Sequence, residues 1–180
     1  EHFDKVHALD PSFAPALAMA ANTRNRYALH HNPSNSERLL EQARDMALDP
    51  DDAVCLSAAA RSETMSQNHD LAISMGETAV ALNPIDSWVR STYGVILLHA
   101  ARPQDAIIQI DHALRLSPRD ANAEGFITIK ALCFFCLAQY EDCLEWAFMA
   151  IRLPHHRPPM YAVRAAVLSK LGRMDEARAA

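Results

Sequence analysis

Glycine is the first scarcity: four residues in 180, against ten prolines. So few glycines nearly exclude a glycine-rich phosphate loop, and they leave little turn chemistry for β-hairpins. Cysteine is equally sparse, at four. That is too few for a disulfide scaffold in a chain of this length, and three of the four lie in apolar, helix-like stretches, which suits reduced thiols. No run of about 18 or more apolar residues occurs, and the N-terminus lacks the basic, apolar, small-residue order of a secretory signal. The reading is a soluble, cytoplasmic chain without membrane attachment. Positive charge is short as well. The 17 Lys and Arg against 22 Asp and Glu give a formal net charge of −5, which argues against a general phosphate-neutralising grip on nucleic acid.

What the chain does have is hydrophobic residues, 50% of the total, enough for a sizeable core. Ala, Leu, Met and Arg dominate, a composition suited to helices. The predicted class is all-α.

Self-similarity runs along the sequence. "ALDP" ends at Pro11, "ALDPDD" contains Pro50, "ALNPID" contains Pro84 and "RLSPRD" contains Pro118, with a looser "IRLPHHRPP" from Ile151. The steps from Pro50 to Pro84 and from Pro84 to Pro118 are each 34 residues. Other features keep step. Ala72, Ala106, Cys143 and Ala177 are separated by 34, 37 and 34 residues, and the same spacings relate Ala60, Gly94, Ala131 and Ala165, and the turn residues Gln67, Ala101, Ala138 and Gly172. Helix packing explains this: a small residue midway along one helix lets its partner approach, and a second small residue opposite receives it. Proline then ends the second helix and opens the next unit. Each unit is a helix hairpin whose apolar side must be buried on its neighbours.

These residues resemble the tetratricopeptide repeat family. The match is clearest in "SWVRSTYGVILLHAARPQDAIIQIDHALRLSP", Ser87 to Pro118, where Tyr93-Gly94, Ala106, Ala113 and Pro118 fall on the family pattern. The resemblance implies a right-handed α-solenoid of stacked antiparallel helix hairpins. It covers nearly the whole chain as a single repeat domain, 1–180, with approximate units 1–11 (partial), 12–50, 51–84, 85–118, 119–155 and 156–180 (partial). The interval from Pro11 to Pro50 is 39 residues, which predicts a longer loop near His30 to Ser36. Three extra residues in a later unit are most simply placed at Ala121 to Ala123. Gly76 stands where the family usually has a large apolar side chain, a local departure in packing. The chain opens in what reads as a second helix and stops partway through another, so it is expected to be a piece of a longer protein.

The chemical candidates are few. Cys133 and Cys136, in "CFFC", are three apart on a first helix, and Cys143 replaces the alanine of sister units. Zinc would want four converging ligands and a second pair, and a thioredoxin-like motif would need a preceding strand. Buried structural cysteines are expected. His30-His31 and His155-His156 are adjacent, so on a helix they would point about 100° apart, and neither pair has chelating neighbours. His112 reads as a packing or surface residue. No Ser/His/Asp grouping suggests a nucleophile. Neither catalysis, a metal nor a cofactor is expected.

The resemblance places the function in a concave groove lined by the first helices, where a peptide or partner helix binds. By it the groove shows Asn22, Asn25 and Arg26, then Ser57, Arg61 and Met65, then Trp88, Ser91, Val95 and His99. Thr128, Leu132 and Phe135 follow, and then Ser169 and Lys170. Arg61 and Trp88 are the leading candidates, and replacing them is expected to weaken partner capture without lowering stability. The family's carboxylate clamp does not map: Ala18, Ala58, Trp88 and Thr92 occupy its positions. The linker phrases "ALDPDD", "LNPIDSWVR" and "RLSPRD" are also similar to those of C-terminal arrays in bacterial class III adenylate cyclases and of arrays that follow winged-helix regulators. That resemblance implies a regulatory or dimerising array whose catalytic or DNA-binding part lies elsewhere. Homodimerisation through exposed helical ends is a third reading.

Overall fold

A computed structural model describes Leu9 and residues 51–120, 123–153 and 159–179. The units expected over 1–50, the loop at His30 to Ser36 and both histidine pairs lie outside the described residues. Within them are eight helices and no strand: α1 (Ala53–Met65), α2 (His69–Leu82), α3 (Ser87–His99), α4 (Pro103–Leu116), α5 (Ala123–Cys136), α6 (Tyr140–Ile151), α7 (Pro159–Lys170) and α8 (Met174–Arg178). They pack as consecutive hairpins, α1 with α2 through α7 with α8.

Two alternating boundary devices build this pattern. Aspartates that follow the periodic prolines by two residues start the first helices. The Asp52 carboxylate accepts from the Cys55 N–H at 2.8 Å, and Asp86 accepts from Trp88 and Val89 at 2.8 and 3.0 Å. This satisfies donors that a helix start leaves without intrahelical partners. Asp120 departs from the rule. Its carboxylate accepts from Ser87 Oγ at 2.9 Å, and α5 begins only at Ala123, which accords with three extra residues at that junction.

The turns inside each hairpin use a left-handed residue. Gln67, Ala101, Ala138 and Gly172 have φ of 65°, 57°, 55° and 76°. The residue after each closes a six-residue loop onto the end of the preceding helix: Asn68 N–H to Glu63, Arg102 to Leu97, Gln139 to Phe134 and Arg173 to Leu168, at 2.8 to 3.0 Å. Four Schellman turns at one phase make every hairpin close the same way. Three of them use a residue with a Cβ, a local cost of about 1 kcal/mol that the surrounding packing offsets.

The core is continuous between hairpins. Ala60, Ala72, Tyr93, Ile96, Leu97, Ala106 and Cys133 form one buried cluster that joins α1, α2, α3, α4 and α5. Ile110, Ala113 and Phe126 carry the core onward, and Ile127, Ala131, Ala147, Ala150 and Met160 extend it to α7. The small residues act as the spacing suggested. A Cβ on Gly94 would lie 2.9 Å from Ile110 Cδ1 and 3.3 Å from the Ala106 carbonyl oxygen, so only glycine lets α4 sit so close to α3. Gly76 admits the ring of Tyr93 from the next hairpin, whose Cδ2 would lie 2.5 Å from an added Cβ. The missing apolar side chain of one unit is thus replaced by an aromatic of its neighbour. The Tyr93 hydroxyl donates to Glu77 Oε1 at 3.1 Å; burial, then that bond, pushes the phenol up to about 12.

Gly76→Ala should be the costliest glycine replacement, about 2–3 kcal/mol, because a rigid ring backed by the core must move. Gly94→Ala should cost less, about 1–2 kcal/mol, since the end of Ile110 can rotate. Gly125 has nothing within 4 Å of an added Cβ, so Gly125→Ala should stabilise by about 0.5–1 kcal/mol through helix propensity. Urea melts of the three variants check the order.

Candidate functional site

First helices approach one another, α1 with α3, α3 with α5 and α5 with α7, whereas among the described residues no second helix approaches another second helix. The stack therefore curves with the first helices on its inner side. Three rows of their residues follow the repeat: Val54, Trp88 and Gly125; Arg61, Val95, Leu132 and Ala166; and Met65, His99, Cys136 and Lys170. The middle row is half-buried except for Ala166, which is exposed, and His99, Cys136 and Lys170 are exposed.

The candidate residues divide on this frame. Asn22, Asn25 and Arg26 lie outside the described residues. Arg61, Met65, Val95, Leu132 and Phe135 are half-buried, and His99, Ser169 and Lys170 exposed, all on first helices. Ser57, Ser91 and Thr128 are a correction to the groove expectation. They are only 1, 6 and 7% exposed, because at their helical phase the next first helix covers them, and Ser91 Oγ donates to the Trp88 carbonyl at 2.9 Å. Trp88 is also more than a groove residue. It packs against Cys55 and Ala58, and against the cluster of Ala53, Leu56, Ala79 and Val89. The expectation that its replacement would spare stability is therefore revised.

Arg61 and His99 come together where α1 faces the end of α3. Partial burial first, then the charge of Arg61, then His69, hold the His99 imidazole below its ordinary 6.5, even though its side chain keeps contact with solvent. His69 begins α2, directly after the Gln67 turn, and its Nδ1 is buried without a hydrogen-bond partner. This corner is thus a neutral imidazole beside a guanidinium.

Sequence reasoning missed Lys130. It is 9% exposed on α5, its ammonium paired with Asp111 of α4 and lying 4.0 Å from the centroid of the Trp146 ring on α6. A buried charge needs such partners, and a desolvated cation–π contact is worth about 2 kcal/mol. The pair ties one hairpin to the next. The signal was present in the sequence, as a lysine on a strongly apolar helix, but its partners were not.

The "CFFC" cysteines are without disulfides, and Cys133 and Cys143 are fully buried. Burial, then the neighbouring Cys136, pushes their thiols up to about 12 and about 11, far from thiolate reactivity. Among the described residues no three His, Cys, Asp or Glu side chains converge on a metal position, and no helix is long and apolar enough to cross a membrane. A second concavity, of about 450 Å³, lies among α6, α7 and α8. Its Arg173 is held by Glu176 at 2.6 and 2.7 Å.

Two outcomes check this geometry. Trp88→Ala should cost about 2 kcal/mol in a denaturant melt, the scale of a half-buried aromatic. For His99, a folded-state pKa below the unfolded value means that the unfolded chain binds more protons in acid. Its contribution to stability is present above 6.5 and lost as pH falls through the folded value. An NMR titration should give His99 a midpoint under 6.5, and Arg61→Gln should raise it; a midpoint indifferent to Arg61 would separate the two groups.

No family model matches the chain, and no curated protein matches it. Solved structures do. A structure titled for the functional characterisation of Pseudomonas aeruginosa pilF superposes with a TM-score of 0.66 at 19% identity, covering 92% of this chain and 73% of that one. The Cut9-Hcn1 tetramer structure gives 0.70 at 17% identity over 94% of this chain, which spans only 32% of that longer one. YrrB, described as a TPR protein with an unusual peptide-binding site, gives 0.59 at 14% identity, covering 98% and 87%. With its hairpins, turns and small-residue contacts, the chain has the tetratricopeptide-repeat fold, an all-α solenoid of stacked antiparallel helix hairpins.

Proposed function

We propose that this chain is a non-catalytic interaction module that holds a protein or peptide segment in the groove formed by its first helices. The observation that carries the reading is the inner row of Arg61, Val95, Leu132 and Ala166: accessible, mostly apolar side chains repeated on successive rigid helices, with cationic groups at its margins. Such a row offers apolar contact with a few orienting polar groups. Arg61, Met65, Val95, His99, Leu132 and Lys170 form the binding surface in this reading, with Trp88 bracing it. Asn22, Asn25 and Arg26 would continue it toward the N-terminus.

The linker phrases motivate a finer proposal, that the array regulates or dimerises a larger cytoplasmic signalling protein such as a bacterial adenylate cyclase or a winged-helix regulator. Under that reading this chain alone makes no cyclic nucleotide and grips no nucleic acid, and its output depends on what the groove holds.

Selection from a random peptide display library tests the groove. Peptides enriched on the wild-type chain should lose about 10-fold or more in affinity on Val95→Glu or Leu132→Glu, since a charge placed in an apolar contact leaves it unpaired. Enriched peptides that ignore both changes would show that binding lies elsewhere.

A further inference from the structure

The two helix layers carry opposite charge. On the first helices, Arg61, Arg90, Lys130, Arg164 and Lys170 stand against only Glu63 and Glu124. On the second helices nine acidic side chains, among them Asp70, Glu77, Asp105 and Glu145, stand against Arg115 and Arg178. The net charge of −5 therefore describes the outer layer and hides the sign of the inner one.

Not every inner cation faces the groove. Lys130 is turned into the core toward Asp111 and Trp146, and Arg90 donates to the Pro84 carbonyl and to Gln109, both at 2.9 Å. Arg61, His99 and Lys170 belong to the inward rows, with Val95 and Leu132 between them, and none of the described residues in those rows is acidic. A concave surface with apolar walls focuses such a field. The acidic outer layer repels a negative segment and attracts a positive one, so partner charge decides which face is met.

We propose that the groove takes an acidic, amphipathic segment of a partner protein, its apolar side chains on Val95 and Leu132 and its carboxylates toward Arg61 and His99 at one end and Lys170 at the other. The proposal rests on the groove reading above and adds the sign of the partner's charge. Neighbouring packed helices lie about 8–10 Å apart, so three steps from Arg61 to Lys170 span about 25–30 Å, which about eight or nine extended residues cover.

Three labelled peptides of about 12 residues, sharing one set of leucines and serines and differing only in carrying Glu, Gln or Lys, test it by fluorescence anisotropy on the full chain. The Glu peptide should bind about 10-fold tighter than the Gln peptide, lose that advantage as NaCl rises from about 50 to 300 mM, and weaken several-fold with Arg61→Gln. His99→Gln, at an exposed position, provides the same readout should Arg61→Gln unfold. Equal binding of the Glu and Gln peptides, both abolished by Val95→Glu, overturns the charge preference and leaves the groove reading standing. Tightest binding by the Lys peptide, indifferent to Val95→Glu, overturns both, as does no binding by any peptide. Self-association that Arg61→Gln removes would assign the groove to the acidic outer layer of a second copy and overturn the partner proposed.

Discussion

The close crossing of paired helices at a small residue is the contact on which the rest depends. Gly94 brings α3 to within touching distance of the Ala106 carbonyl and the Ile110 side chain. Ala60 with Ala72, and Ala131 with Cys143, occupy the same places in the neighbouring hairpins and are fully buried. Helices that cross this closely leave little room for variation in angle, and interiors packed at crystal-like density transmit the constraint. Each hairpin is then a rigid step, and equal steps stack into a regular curve.

Linkage between the steps is more varied. Tyr93 fills the space above Gly76, Ser87 reaches the capping carboxylate of the next unit, and Lys130 crosses between hairpins to Asp111 and Trp146. Apolar burial supplies most of the stabilisation in all of them, and the polar contacts fix register because they are satisfied in one arrangement only. Stability of such a stack is close to a sum of unit and neighbour terms, so a contact like Tyr93 with Gly76 bears on two units at once.

Function follows from the curvature. With first helices touching and second helices apart, the inner face gathers residues from every unit into one surface, while the outer face spreads its side chains apart. The charge partition adds to this: the acidic second helices keep a chain of this apolar content dispersed, and the inner layer is free to carry apolar and cationic groups. Arg61 and His99 show the effect locally, two basic groups held near each other at the cost of the imidazole's proton.

Much of this was legible without coordinates, and the reason is periodicity. The 34-residue step of the prolines located the hairpins, and Gln67, Ala101, Ala138 and Gly172 were legible as turn residues because they share that phase. Asp52 and Asp86, two residues after their prolines, were an unused signal for helix starts. The groove was legible only as a list of positions. Exposure depends on what the neighbouring hairpin covers, so Ser57, Ser91 and Thr128 went inside and Trp88 became part of the core packing. Lys130 found its carboxylate 19 residues earlier in sequence and its aromatic on the following helix. The sequence by itself determined the repeat, the helix boundaries and the small-residue contacts, because each is a local pattern recurring at fixed spacing. Only the tertiary structure decided which residues line the inner face, which charges are paired and which glycine makes room for a ring, because those depend on side chains meeting across units.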